Sequence, residues 1–243
     1  MIQFGGILIA LKLQQIFAHR KDVRGQTTPT GLQREDGKEE VKVQMFKEDI
    51  SINHFVKHIN GELPALGLVP ITPPWEEDDV IHYCKWGCLD IDEYNFDHKQ
   101  LIESINKLEL PMVVFRSKSG GAHVFLFCNE WISARVMRAK LKMIQKALGY
   151  DGCEIFPKQD EAGEFGSFLN IPYFNGTYTS RYAFDEEGNT VFIEDLGFLY
   201  DKKVQTKDQI NKISVSAAKI KKIKEDEAFP DGPPCLNTLA KIG

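Results

Sequence analysis

The sequence has no CxxC pair among its five cysteines and no apolar run long enough to cross a bilayer. The cysteines are Cys84, Cys88, Cys128, Cys153 and Cys235. They stand among apolar residues, which predicts reduced, buried thiols and no zinc site. His82 lies near the first two, but no second ligand pair follows at a suitable spacing. The apolar N-terminal stretch lacks a charged leader and contains Lys12, so a secretory signal is not indicated. We expect a cytoplasmic protein with no membrane partner.

An excess of positive charge is also missing. The 243 residues carry a formal net charge of −5, so any polyanionic partner has to be met by a local basic patch. One such patch is predicted on a helix over residues 132–148, where four basic side chains fall within about 80° of one another. They are Arg135, Arg138, Lys142 and Lys146. This basic face is either solvated or a path for a nucleic-acid strand.

The order of helical and strand patterns predicts an α+β fold with a mostly antiparallel sheet. Helices are expected at the N-terminus and over residues 49–61, and a third is expected to begin after Asp97 as its cap. The stretch "PMVVFRSKSGGAHVFLFC" reads as a strand, a Gly-rich turn and a returning strand. The polar residues 20–44 are predicted to form a long loop that enters a short strand near Val41–Val43.

Changes in composition divide the chain into three parts. We predict an N-terminal helix, loop and strand module over residues 1–75 and a core over residues 76–200. A Lys-rich helical tail over residues 201–243 is expected to lead toward a C-terminal region that this sequence lacks.

The first chemical signal is "WGCLDIDEYNF", in which two aspartates alternate with apolar residues inside a strand pattern. Asp90 and Asp92 are expected to share one face of that strand, because side chains alternate with period two. Two neighbouring carboxylates repel each other, and a hard divalent cation such as Mg²⁺ removes that cost. Either the pair faces water or it binds a metal ion.

The second signal is the turn "RSKSGGAH". Its serines and glycines expose backbone N–H groups, and two basic side chains add positive charge, which suits phosphate oxygens. The residues concerned are Arg116, Ser117, Lys118, Ser119, Gly120 and Gly121. The stretch is not a Walker A loop, because no GK[ST] follows. His123 opens the returning strand, where it is either a core residue or a functional one.

The third signal is "CEIFPKQ". Glu154 lies in a short apolar strand, where an unpaired carboxylate is costly. Lys158 follows the strand and is either a simple ion-pair partner of Glu154 or a functional cation. One sheet could bring Glu154 close to Asp90 and Asp92.

Taken in order, "LDID", "SKSGGAHVFLF", "EIFPKQ" and "LNIPYF" resemble the archaeo-eukaryotic primase superfamily, especially phage and mobile-element primase-polymerases. The resemblance covers roughly residues 80–175. It implies a catalytic core on an RRM-like sheet with flanking helices, joined to an N-terminal α/β module.

The resemblance also implies roles for individual residues. Asp90 and Asp92 correspond to the family's hDhD motif, and a third carboxylate would be Glu154, or Asp151 if the alignment slips. Gly121-Ala122-His123 corresponds to the usual SxH, so a hydroxyl role is absent here or passes to Ser117 or Ser119. His123 would contact the triphosphate of the incoming nucleotide, and Lys158 is placed to hold phosphate.

The implied activity is that of a DNA primase or primase-polymerase in phage or mobile-element replication. It would use two Mg²⁺ or Mn²⁺ ions, NTPs or dNTPs, and a single-stranded DNA template with a primer, and a priming or helicase domain could follow in the chain. A metal-dependent nuclease and a catalytically weak single-strand-binding module are the alternatives.

Overall fold

The computed structural model describes residues 4–33, 39–76, 80–161, 163 and 165–215. The helices within these residues are α1 Phe4–Phe17, α2 Ile52–Ile59, α3 His98–Lys107, α4 Ala134–Leu148, α5 Leu196–Lys203 and α6 Lys207–Lys212. The strands are β1 Arg24–Gln33, β2 Glu39–Phe46, β3 Ala65–Leu68, β4 Ile71–Thr72, β5 Tyr83–Ile91, β6 Val113–Arg116, β7 Ala122–Ser133, β8 Glu154–Phe156, β9 Leu169–Asn170, β10 Ala183–Phe184 and β11 Thr190–Val191. These strands pair in antiparallel fashion, so the predicted α+β class is confirmed.

The larger sheet has the order β11-β10-β6-β7-β5-β4, and β8 pairs with the end of β5. The predicted hairpin is therefore β6 and β7, joined by the Gly-rich turn. Strand β5 lies between β7 on one side and β4 and β8 on the other. As a result, the strand that carries the first aspartate of the pair is internal to the sheet.

The two faces of this sheet are buried by different partners. On one face, Trp86 and Phe125 pack against α1, and the Trp86 indole N–H donates to the carbonyl of Phe17 at 2.9 Å. On the other face, Leu89 and Val124 pack with residues of α3 and α4. Because Asp90 alternates with Leu89, it belongs to the face that packs against α1 farther along the strand.

The smaller sheet has the order β2-β1-β3-β9, and its first strand differs from the prediction. Residues 24–33 form a strand rather than part of a long loop, and β2 is longer than the short strand expected near residues 41–43. Strand β3 pairs only with residues 24–27 of β1, and β2 pairs with Pro29 through Val41 on the other side. Pro29 therefore has a partner strand on one side alone, which is where a proline is tolerated in a sheet.

Local signals account for the helix boundaries. The Asp97 side chain accepts from the backbone N–H of Gln100 at 3.0 Å, which confirms the predicted cap of α3. Helix α2 follows Ser51 as its N-cap, within the predicted residues 49–61. Helix α4 ends at Gly149, whose φ of 82° is the left-handed conformation that glycine adopts most easily.

Residues beyond 200 join the folded unit in part. Ile210 of α6 is fully buried, while residues 216–243 of the predicted tail lie outside the described residues. In the described part of the chain, none of the helices has the length and apolar character needed to cross a membrane.

Candidate active site

Three of the predicted site residues stand side by side across three strands. Strand pairing puts His123 of β7 opposite Asp90 of β5, and Asp90 opposite Glu154 of β8. Directly opposed residues of antiparallel strands point to the same face, so the three side chains form one row, which we call the acidic row. The His123 Nε2 atom lies 3.2 Å from Oδ1 of Asp90, and their side chains are 13% and 25% exposed.

The floor of the acidic row is apolar. Cys88, two residues before Asp90 on the same face of β5, is fully buried, as is Phe125 beside it, and Phe156 at the end of β8 is 3% exposed. Burial, followed by the negative charge of Asp90, raises the pKa of the Cys88 thiol. A carboxylate above such a floor gains little from solvent on that side, which strengthens its attraction to any cation.

Asp92 lies just beyond the end of β5 and not within the strand. Its Oδ1 atom accepts a hydrogen bond from Ser119 Oγ at 2.9 Å. Ser117 Oγ lies 3.1 Å from Ser119 Oγ, and because the Ser119 proton is used toward Asp92, Ser117 is the donor in that contact. The turn predicted to bind phosphate is therefore connected to the second aspartate through two hydroxyl groups.

The turn itself is held tightly against β5. The backbone N–H of Ser117 donates to the carbonyl of Gly121 at 2.9 Å, and Gly120 has a φ of 96°. A Cβ atom on Gly121 would lie 2.1 Å from the carbonyl oxygen of Ile91. The SxH motif has serine at the position of Gly121. Here glycine is required, because the backbones of Gly121 and Ile91 lie too close for a Cβ atom.

The two basic residues of the turn differ in their surroundings. The Arg116 guanidinium donates through Nη1 to the carbonyl of Ser180 at 3.0 Å, whereas Lys118 is exposed. Arg116 is held in place by the neighbouring segment of chain, and Lys118 belongs to the exposed part of the turn.

Glu154 faces a cation in its own segment. Its Oε2 atom lies 2.7 Å from Nζ of Lys158, and that Nζ lies 5.0 Å from the centre of the Phe156 ring. Asp151, the alternative third carboxylate, precedes β8 and is exposed. Of these two acidic residues, Glu154 is the one that strand pairing puts opposite Asp90.

The donor atoms of these acidic residues are carboxylate oxygens, the type that Mg²⁺ and Mn²⁺ prefer. Within the described ranges, however, no three His, Cys, Asp or Glu side chains converge closely enough to hold a metal ion. Each carboxylate is instead turned toward a neighbour, namely His123, Ser119 or Lys158. The donor chemistry fits a divalent ion, and binding one requires these side chains to reorient.

Helix α4, which carries the predicted basic residues, packs through its apolar side on the sheet face opposite the acidic row. Arg138 is partly buried, with its Nε atom 2.6 Å from Asp160 and its Nη1 donating to the carbonyl of Pro157 at 2.6 Å. Arg135, Lys142 and Lys146 are exposed. Arg138 therefore anchors the segment that follows β8, and the other three side chains form a basic edge next to it.

Sequence reasoning missed two residues at this end of the sheet. The His98 Nε2 atom donates to the carbonyl of Gly121 at 3.0 Å, which secures the turn from the side of α3. Arg181 lies in the segment beside Arg116, with its guanidinium 5.1 Å from the centre of the Phe174 ring. Burial lowers the pKa of Arg181, and its Nη1 atom is buried with no hydrogen-bond partner among the described residues. No local pattern marks either residue, because distant parts of the chain bring both to the turn.

Comparisons with known proteins identify the family. The chain matches the family described as "TOTE conflict system, Archaeo-Eukaryotic Primase domain" over residues 29–223. Among solved structures, it is similar to "Crystal structure of primase RepB'", with 8% identity, a TM-score of 0.40, and coverage of 85% of this chain and 63% of that chain. It is equally similar to "Crystal structure of the catalytic domain of primase Repb' in complex with initiator DNA", with 8% identity, a TM-score of 0.40, and coverage of 85% and 95%. No curated protein matches the chain.

The family match assigns the class, which is that of archaeo-eukaryotic primase domains. Within that class, the chain belongs to the archaeo-eukaryotic primase domain family of TOTE conflict systems. The likeness to solved primases is distant, and the chain spans 63% of the length of the first of them.

Proposed function

We propose that this domain is a DNA-template-directed nucleotidyltransferase, a primase or primase-polymerase that synthesises or extends short strands from NTPs or dNTPs on single-stranded DNA. A role in the replication of a phage or another mobile element is part of the proposal. The observation that supports it best is the acidic row, in which Asp90 stands between His123 and Glu154, beside the Gly/Ser turn.

Asp90, Asp92 and Glu154 are the residues that would hold Mg²⁺ or Mn²⁺. When bound, two such ions supply activation of a 3′-hydroxyl and neutralisation of charge on the departing pyrophosphate. The protein itself contributes mainly positioning, because phosphoryl transfer needs little covalent participation from side chains.

The residues of the turn would bind the triphosphate. Ser119 supplies the hydroxyl that Gly121 cannot, since Ser119 Oγ already reaches Asp92 at 2.9 Å. His123 and Lys158 would donate to phosphate oxygens, and Arg116 and Lys118 would add positive charge at the hairpin end. Backbone N–H groups of the glycines complete a concave surface of hydrogen-bond donors.

A single-stranded DNA template and a primer are the proposed macromolecular partners. The basic edge of α4 provides charge that can follow a phosphate backbone. One of the similar solved primases is described as a complex with initiator DNA. A priming or helicase domain elsewhere in the same polypeptide is a further proposed partner.

The proposal is tested by following nucleotide incorporation on a single-stranded DNA template with Mg²⁺ or Mn²⁺, with and without primer. Asp90→Asn keeps the size of the side chain but removes its charge, so we expect incorporation to fall by at least about 100-fold. Asp151→Asn is run in parallel. Retained activity in Asp151→Asn together with loss in Glu154→Gln assigns the third carboxylate to Glu154, and the reverse result assigns it to Asp151.

The products distinguish the remaining alternatives. Extension by the wild type establishes a polymerase, and products without primer establish a primase. Metal-dependent degradation of the template identifies a nuclease instead. Template binding with neither extension nor degradation identifies a binding module, and it refutes the proposal for this chain.

A further inference from the structure

Two arginines of α4 face the same carboxylate. Arg135 and Arg138 are three positions apart on the helix, so their side chains emerge side by side. Asp160 lies against both, with Oδ1 2.6 Å from Nε of Arg138 and Oδ2 3.8 Å from Nε of Arg135. Within the described residues, neither arginine forms an ion pair with another carboxylate. Two positive charges are therefore matched by one negative charge.

The contact between Asp160 and Arg138 is incomplete. The Arg138 side chain is 17% exposed, and its Nε atom is buried with no hydrogen-bond partner among the described residues. Because Asp160 Oδ1 is within hydrogen-bond distance of that atom, it is the direction of the N–H that misses the oxygen. A guanidinium this far removed from water needs its donors satisfied. A phosphate that is free to orient itself suits the planar fork of arginine better than a carboxylate held by its own backbone.

The arginine pair lies at the edge of the larger sheet that leads to the acidic row. Among the described strands, β8 pairs with β5 alone, so its other side is open. The segment after β8 contacts α4 through the Pro157 carbonyl and Asp160, while Lys158 of the same segment reaches Glu154. Pro157 is three residues from Glu154, about 10 Å along an extended chain. A ligand at the arginine pair therefore lies outside the acidic row and next to the approach to it.

Building on the proposed function, we propose that Arg135 and Arg138 form a binding site for one backbone phosphate of the single-stranded template, and that Asp160 occupies this site in the free protein. Carboxylate and phosphate each offer oxygens to the same two guanidinium groups, so one replaces the other. The phosphate arrives on a strand that also crosses the exposed Lys142 and Lys146, which compensates for the lost internal ion pair. Asp160 thus opposes the binding of nucleic acid at this edge.

The test measures binding in the absence of metal and of catalysis. A fluorescein-labelled oligothymidylate is titrated into wild type and Asp160→Asn in EDTA, and its fluorescence anisotropy is followed. The Asp160 side chain is 41% exposed, and exposed ion pairs are weak, so we expect Asp160→Asn to bind the strand about two- to fivefold more tightly. Glu161→Gln is the matched control, because it removes the same charge from the exposed neighbouring residue without releasing the arginines. Its affinity should stay close to that of wild type.

A double-mutant cycle shows whether the gain passes through the arginine pair. In an Arg138→Gln background, Asp160→Asn should give no further gain, because the cation that it releases is already gone. The plot of log affinity against log salt concentration should also become less steep in Arg138→Gln, by about 0.7 for one lost phosphate contact on a single strand. Arg135→Gln repeats the cycle at a side chain that is 76% exposed, where folding is not at risk, and it should reduce the gain.

The proposed site is refuted if Asp160→Asn gains no affinity, if Glu161→Gln gains as much, or if the full gain survives in both arginine variants. Titration of a fluorescent deoxyadenosine triphosphate analogue in EDTA distinguishes the two sources of phosphate. If Asp160→Asn binds this analogue more tightly and the strand no better, the pair is a nucleotide site and the template site is refuted. Failure of the proposed function appears differently, as a wild type that shows the Asp160 effect on strand binding but incorporates no nucleotide on a primed template.

Discussion

Replacing Gly121 by serine would restore the SxH pattern of related primases, and we expect it to damage this protein. A Cβ atom at Gly121 would lie 2.1 Å from the carbonyl oxygen of Ile91 and 3.1 Å from the backbone nitrogen of Glu93. Both neighbours are backbone atoms of the segment that follows Asp90, so neither can rotate away as a side chain could. The strand ends must separate beside the pair of Ile91 and Ala122, one step from the point where His123 lies opposite Asp90.

The cost follows from the size of the clash. Overpacking of this kind costs about 1–3 kcal/mol in the free energy of unfolding, which lowers the Tm of a chain of this size by about 2–12 °C. Separation of β5 from β7 also lengthens the contact between His123 and Asp90, so we expect incorporation to fall more than stability alone explains. Gly121→Ala should behave almost like Gly121→Ser, because the clash arises at Cβ.

The assay compares thermal unfolding and template-directed incorporation for Gly121→Ser, Gly121→Ala and Gly163→Ser. Gly163 is the matched control, since a Cβ atom there meets no heavy atom within 4 Å. We expect Gly163→Ser to change the free energy of unfolding by less than about 0.5 kcal/mol. A Gly121→Ser protein with unchanged Tm and higher activity than wild type would refute the steric reasoning and return the hydroxyl role to position 121.

Two further predictions concern stability. Asp97→Ala removes the cap that receives the Gln100 N–H, so urea unfolding should show a loss of about 1 kcal/mol, and no loss would contradict the capping geometry. His58 is buried, accepts from the Leu66 N–H and donates to the Pro172 carbonyl, and burial lowers its pKa from 6.5 to about 4. Because the folded state disfavours protonated His58, the contribution of this residue to the free energy of unfolding is fully present above pH 6.5. It decreases as the pH falls toward 4, by on the order of 3 kcal/mol, and the pH dependence should become flatter in His58→Gln.

The parts of the fold that could be predicted from the sequence are those coded locally. Asp97 before a helical pattern and the Gly-rich turn between two apolar runs each define their element within a few residues. Strand β1 was missed because its polar composition and Pro29 favour a loop. That segment becomes a strand through pairing with β2 on one side and with β3, some forty residues farther along the chain, on the other.

The site shows the same division. The alternating aspartates and the Ser/Gly turn could be recognised as short patterns, whereas the order His123, Asp90, Glu154 across the sheet depends on strand pairing between distant segments. His98 could not be singled out, because its role comes from a hydrogen bond to the Gly121 carbonyl across 23 positions. The roles of the predicted residues in metal and nucleotide binding stay predictions.

Gly121 and Ser119 both follow from the close approach of the start of β7 to the end of β5. Because Gly121 lets β7 begin in contact with the end of β5, the preceding turn lies over Asp92. At that distance the hydroxyl of Ser119 reaches the Asp92 carboxylate, and the hydroxyl of Ser117 donates to Ser119. A serine at position 121 would separate the strands and carry Ser119 away from Asp92. The departure from the usual motif is therefore compensated within the same turn.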